Sequence, residues 1–117
     1  MNLSTEQVEN LTLVTFLDPS LDAGNSREFV EILSPLLVQG ARFVFDMSQV
    51  RFVDSSGLGS LMLCMRRLKA VGGALVLCGL SKSVMALFEL VRMNRIFEVK
   101  SNRTEAIQAL QPPPQRG

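Results

Sequence analysis

Three features of this sequence predict an α/β domain with a mostly parallel central sheet. Apolar, β-branched runs at Leu11 to Leu17, Arg42 to Met47 and Ala74 to Cys78 have the near-continuous character of strands buried on both faces. Amphipathic stretches lie between them, and that alternation carries parallel strands through crossover helices. Pro19, Gly40 and the Gly72-Gly73 pair punctuate the boundaries. The chain has 117 residues, 47% of them hydrophobic, which is enough for a core and too little for two. The expected layout is one domain over 1–110 and a disordered, Pro-rich tail over 111–117.

In order, Leu3 to Val8 alternates weakly and is expected as an edge strand, with Glu9-Asn10 turning it into the antiparallel strand Leu11 to Leu17. Asp18-Pro19-Ser20 breaks that strand. Asn25 is placed to cap a helix, with Glu28 three residues on completing a capping-box-like pair. Phe29, Ile32, Leu33, Leu36 and Leu37 share one face, Pro35 is expected to kink the helix, and Gly40 to stop it. After the strand Arg42 to Met47, Val50, Phe52 and Val53 are expected in the core. A helix from Ser56 then carries Leu58, Leu61, Met62, Met65 and Leu68 inward. The strand Ala74 to Cys78 follows, then a helix capped by Ser81 with Val84, Leu87, Phe88 and Val91 inward. A short strand at Ile96 to Val99 and a terminal helix at Thr104 to Leu110 complete about four helices.

Composition removes several functions. Twelve basic against eleven acidic residues give no strong field for nucleic acid or anionic membrane, and there is no Trp or Tyr on which bases would stack. The absence of histidine removes a Ser-His-Asp triad, a His general base and His-containing metal sites together. Cys64 and Cys78 are isolated within apolar patterns and read as packing thiols of a reduced compartment. The start lacks a basic and then apolar leader, and no apolar run spans a bilayer, so a cytoplasmic protein is expected, and no motif in the sequence calls for a metal or cofactor.

The chemistry concentrates in Phe52-Val53-Asp54-Ser55-Ser56-Gly57-Leu58-Gly59, where an apolar segment ends in an acid, two hydroxyls and two glycines just before a helical pattern. Such a helix start favours an oxyanion, so a serine here is suited to carry phosphate. Asp54 and Ser55 are equally ordinary helix caps, and the residues alone leave the two readings open. Gly57-Leu58-Gly59 is half a dinucleotide fingerprint, with Met62 where the third glycine belongs. Gly79-Leu80-Ser81-Lys82-Ser83 ends like a phosphate loop without its glycine spacing. A nucleophile elbow on Ser55 needs a glycine where Val53 stands.

The stretch Val50 to Gly59 resembles the signature of bacterial anti-sigma-factor antagonists, the sulfate-transporter-and-anti-sigma-antagonist (STAS) domains. Leu21-Asp22, Phe43 to Ser48, Gly72-Gly73 through Cys78, and Leu87-Phe88-Glu89-Leu90 extend the likeness over nearly the whole chain, and Pro19-Ser20 departs from it. The resemblance implies a single STAS-type domain and a partner switch. Unphosphorylated protein would bind a serine kinase of the histidine-kinase-like ATPase class, itself an anti-sigma factor, and free its client. Phosphorylation of Ser55 would break that complex, and a serine phosphatase would reset it. Asp54, Ser56, Gly57, Leu58 and Gly59 then form the phosphosite loop. Asp22, with Ser60, Leu63 and Arg67 on the outer helix face, supplies the expected partner surface. The alternatives are a nucleotide-binding or phosphoryl-handling protein using the same loop, and a scaffold subunit that is never modified.

Overall fold

The computed structural model describes residues 1–111, and the disordered tail expected over 111–117 lies outside the described residues from position 112 on. Strands β1 (Leu3–Val8) and β2 (Leu11–Phe16) form an antiparallel hairpin, Leu3 opposite Phe16 and Val8 opposite Leu11. The two-residue strand β3 (Ser20–Leu21) leads to helix α1 (Ser26–Leu33) and a 3-10 turn at Ser34–Leu36. Next come β4 (Arg42–Asp46), the two-residue β5 (Phe52–Val53) and the long helix α2 (Ser55–Ala70). Then follow β6 (Ala74–Cys78), α3 (Lys82–Leu90), β7 (Glu98–Lys100) and α4 (Arg103–Leu110). The main sheet runs β1-β2-β4-β6-β7, parallel throughout except at β1, as the sequence predicts.

Both sheet faces are covered, which is why β2, β4 and β6 read as continuous apolar runs rather than alternating ones. Val14, Phe16, Phe43, Phe45, Leu75 and Leu77 face α1, α2 and α3, where Phe29, Leu61, Leu68 and Phe88 fill the space. Phe16, Phe29 and Phe45 meet in tilted and edge-on contacts, with ring centroids 5.1 to 5.7 Å apart. Leu11, Leu13, Val44, Val76 and Cys78 face the other way, against Ala106 and Leu110 of α4.

Several local expectations are corrected. Pro35 does not kink α1; the helix ends at Leu33, and Pro35 sits in the 3-10 turn, leaving Ile32 and Leu36 exposed. Asn25 precedes α1 without capping it. Its Oδ1 accepts from the Asp22 N–H at 2.9 Å, and its Nδ2 donates to the Ser20 carbonyl at 2.8 Å. Glu28 pairs with the Met1 ammonium instead of completing a capping box. The last strand starts at Glu98 with Ile96 exposed, and Val91 is exposed beyond α3.

On the α4 face, Asp46 is 5% exposed at the end of β4, and its carboxylate pairs with Arg103 and accepts from the Ser48 N–H. Arg103 also donates to Thr15 Oγ1 at 2.9 Å, so one guanidinium ties α4 to two strands. Burial raises the carboxyl's proton affinity, but the bonds from Arg103 and Ser48 outweigh it and leave the pKa below 3.8. The pair therefore stabilises the fold above the unfolded-state value and loses that contribution as pH falls through the lower native one. Arg103→Ala is expected to cost about 2 kcal/mol in urea unfolding at neutral pH, because it leaves a buried carboxylate without its charged donor. The gap between mutant and wild type should shrink below about pH 4 as Asp46 protonates in both.

Candidate functional site

The candidate turn is built by a second, two-stranded parallel sheet that the sequence did not announce, β3 beside β5. The Arg51 and Phe52 N–H groups donate to the Pro19 carbonyl at 2.7 and 3.2 Å, and the Asp54 N–H donates to the Leu21 carbonyl at 3.3 Å. Leu21 and Val53 point inward and are buried, whereas Phe52, expected in the core, points out and is 56% exposed. The pleat requires this, since successive strand residues face opposite sides. Two residues are too few to show a period in the sequence. Phe52 thus becomes an exposed aromatic two positions from Asp54.

Helix α2 begins at Ser55, one residue before the expected start, and Asp54 is its N-cap. Asp54 Oδ1 accepts from the Gly57 N–H at 2.9 Å, and Oδ2 accepts from the Ala23 N–H at 3.1 Å. The bond from Gly57, with those from Ala23 and Ser56, holds the carboxyl below the usual Asp range. Of the two caps the sequence offered, the structure uses Asp54, and Ser56 is an exposed residue of the first turn. Asp54→Ala should lower the melting temperature, whereas Ser56→Ala should leave it nearly unchanged. A thermal melt of the two variants checks the assignment.

Ser55 is exposed at the first helical position, its side chain free to meet another molecule. Gly57 and Gly59 are not in a turn, as a nucleotide loop requires, but inside α2. Gly57 has a steric reason to lack a side chain, because a Cβ there would lie 2.2 Å from the Leu21 carbonyl oxygen. Gly59 has none, since a Cβ there meets nothing within 4 Å. Leu58 is buried beneath the turn.

The expected partner residues divide. Ser60 is not on an outer face: it is 6% exposed, and its hydroxyl donates to the Gly57 carbonyl at 2.7 Å. A helical wheel of α2 alone misplaces it, because α1 packs across that side of the helix. Leu63 is half-buried along an α1–α2 groove of about 300 Å³, beside Val30 and Gly59. Arg67 is exposed and donates to Ser34 Oγ at 3.0 Å. Asp22 is half-buried with its carboxylate committed to its own loop, accepting from Ser20 Oγ at 2.9 Å and the Gly24 N–H at 2.8 Å. Cys64 and Cys78 are free and buried, and burial pushes both thiols up to about 12, which makes them poor nucleophiles.

The architecture agrees with the comparisons to known proteins. A family model described as the STAS domain matches residues 2–106. The chain belongs to the STAS-domain family. Two curated relatives of this STAS domain are anti-sigma-B factor antagonists. The protein from Listeria monocytogenes is 32% identical over 86% of this chain and 91% of its own. The one from Bacillus subtilis is 28% identical over 92% and 98%. Among solved structures, the anti-sigma factor antagonist SpoIIAA in its unphosphorylated form superposes with a TM-score of 0.77, at 24% identity, covering 93% of this chain and 96% of that one. At that identity the likeness speaks for the fold. The STAS domain described here has no helix among its described residues long and apolar enough to cross a membrane.

Proposed function

We propose that this STAS domain is an anti-sigma factor antagonist that works by partner switching in the cytoplasm, and that Ser55 is its switch. The observation that carries the reading is the exposed hydroxyl of Ser55 at the first position of α2, where β5 and the loop after β3 converge, in a chain whose relatives are antagonists of anti-sigma factors. In its unphosphorylated form the protein binds a serine kinase of the histidine-kinase-like ATPase class that doubles as the anti-sigma factor, and so releases that factor's client. The kinase transfers the γ-phosphoryl group of ATP to Ser55 Oγ, the hydroxyl proton is lost, and ADP leaves. The new dianion repels the partner and obstructs its close approach. A serine phosphatase hydrolyses the phosphoester and restores binding. The protein is substrate and ligand here, with no catalysis of its own. Geometry weighs against a nucleotide seat in the same turn, since the Asp54 carboxylate already takes the Gly57 N–H that a phosphate would need.

The partner surface is read as Ser55, Phe52, Gly59, Leu63 and Arg67. Gly59 is its most diagnostic member. A glycine inside a helix costs about 0.5–1 kcal/mol relative to alanine, and nothing within the domain requires it. The bare backbone suits close approach by another chain. Gly59→Ala should therefore raise the melting temperature while weakening kinase binding. Leu63→Ala and Arg67→Glu should weaken binding about tenfold or more with little change in melting. Titration of the three variants against the kinase by calorimetry tests the surface, and wild-type affinity in all three would remove this face from the account.

A further inference from the structure

Asp54 does more than cap α2. Its two oxygens serve different segments: Oδ1 holds the Gly57 N–H of its own helix, and Oδ2 holds the Ala23 N–H, 31 residues away. The Ala23 contact extends the series of bonds by which segment 51–54 grips segment 19–23, through Pro19, Leu21 and then Ala23. It is the last member of the series along the chain, an exposed bond beside exposed Ser55. We propose that Asp54 is a positioning residue, a clasp that fuses the loop after β3 to the start of α2 as one surface, and that negative charge on Ser55 opens the clasp at Ala23.

The two Asp54 bonds differ in how firmly they are held. The Gly57 bond lies within one helical turn and is reinforced by the positive end of the helix dipole. The Ala23 bond is longer, 3.1 against 2.9 Å, and joins two surface loops. A phosphate on the adjoining residue repels the carboxylate and competes for the same N–H groups, so the weaker bond gives way first. Pairing of β3 with β5 holds Ser20 and Leu21 in place, and α1 begins at Ser26. The change is therefore confined to the peptide around Asp22, Ala23 and Gly24, and the fold is kept. A charge at Ser55 would thus act twice on a partner, directly and by loosening the neighbouring loop. This inference rests on the switch reading for its biological trigger, but its test does not.

Amide exchange by NMR on the isolated domain provides that test. Asp54→Ser keeps a capping oxygen yet is too short to reach Ala23, so it defines the open clasp, with Ala23 exchanging about tenfold faster and Gly57 still protected. Ser55→Glu should reproduce that pattern. Ser55→Gln, equal in size and uncharged, should leave Ala23 as in the wild type. An unchanged Ala23 amide in Ser55→Glu overturns the proposal, as does equal loosening by Glu and Gln, which would make the effect one of bulk. If Asp54→Ser does not fold, the Glu and Gln pair decides alone. No partner or kinase enters, so a clasp that fails here leaves phosphorylation of Ser55 to be judged by mass mapping. A clasp that opens in a protein never phosphorylated on Ser55 overturns the switch and keeps the clasp.

Discussion

A Ser55→Asp variant is expected to bind the kinase partner at least about a hundredfold more weakly than Ser55→Ala, a difference of ~3 kcal/mol. The side chain projects from an exposed position where any partner covering the turn must bring its own surface close. A carboxylate there is left without a matching cation once water is excluded, and desolvating an unpaired charge costs several kcal/mol. Alanine removes only a hydroxyl, so Ser55→Ala should bind persistently and keep the client released. Aspartate reproduces the phosphorylated state in part, since phosphate carries about −2 at neutral pH. Both variants should retain the wild-type circular dichroism spectrum, because Ser55 makes no packing contact with the core. Calorimetric titration at physiological salt measures the difference. Equal affinities would remove the electrostatic switch, and loss of tertiary structure in Ser55→Asp would replace it with an order–disorder transition.

The second large effect belongs to Gly57→Ala. A methyl group there would lie 2.2 Å from the Leu21 carbonyl oxygen and 2.9 Å from its carbon, both of them backbone atoms that no rotamer change can move aside. Either α2 retreats or β3 separates from β5, and both disturb the pairing that places Asp54. The expected cost is about 2–3 kcal/mol, a fall of roughly 10 °C or more in melting temperature for a domain of this size. Gly59→Ala, two residues on, should move the melt the other way. A differential scan of the pair separates a steric glycine from an interfacial one. A neutral Gly57→Ala would mean that the close packing of the loop on α2 is not required.

The three central strands were legible because a strand covered on both faces becomes a short, near-continuous apolar run rich in β-branched and aromatic residues, here bounded by Pro19, Gly40 and Gly72-Gly73. Helix α2 was legible from Leu58, Leu61, Met65 and Leu68, all of them buried. What the pattern did not carry was the site itself. β3 and β5 have two residues each, below any period, so Phe52 read as core by its composition alone. Ser60 was misplaced because a wheel describes one helix and not the helix lying against it. Asn25 had the right identity for a cap but spent its side chain on the loop of Ser20 and Asp22. The link between Asp54 and Ala23 has no signal in sequence, since it joins residues 31 apart through one carboxylate oxygen. The choice of Ser55 over Ser56 came from resemblance to the STAS signature. The structure adds that both hydroxyls are exposed and that neither is needed as the cap.

The most direct test of the central claim is to incubate the purified protein with its kinase partner and Mg-ATP, map the product by fragmentation mass spectrometry, and titrate the same sample against fresh kinase. The account predicts one phosphate, on Ser55, and an affinity at least about a hundredfold below that of the untreated protein. A phosphate on Ser56 with Ser55 unmodified, or full binding by protein phosphorylated on Ser55, would contradict it.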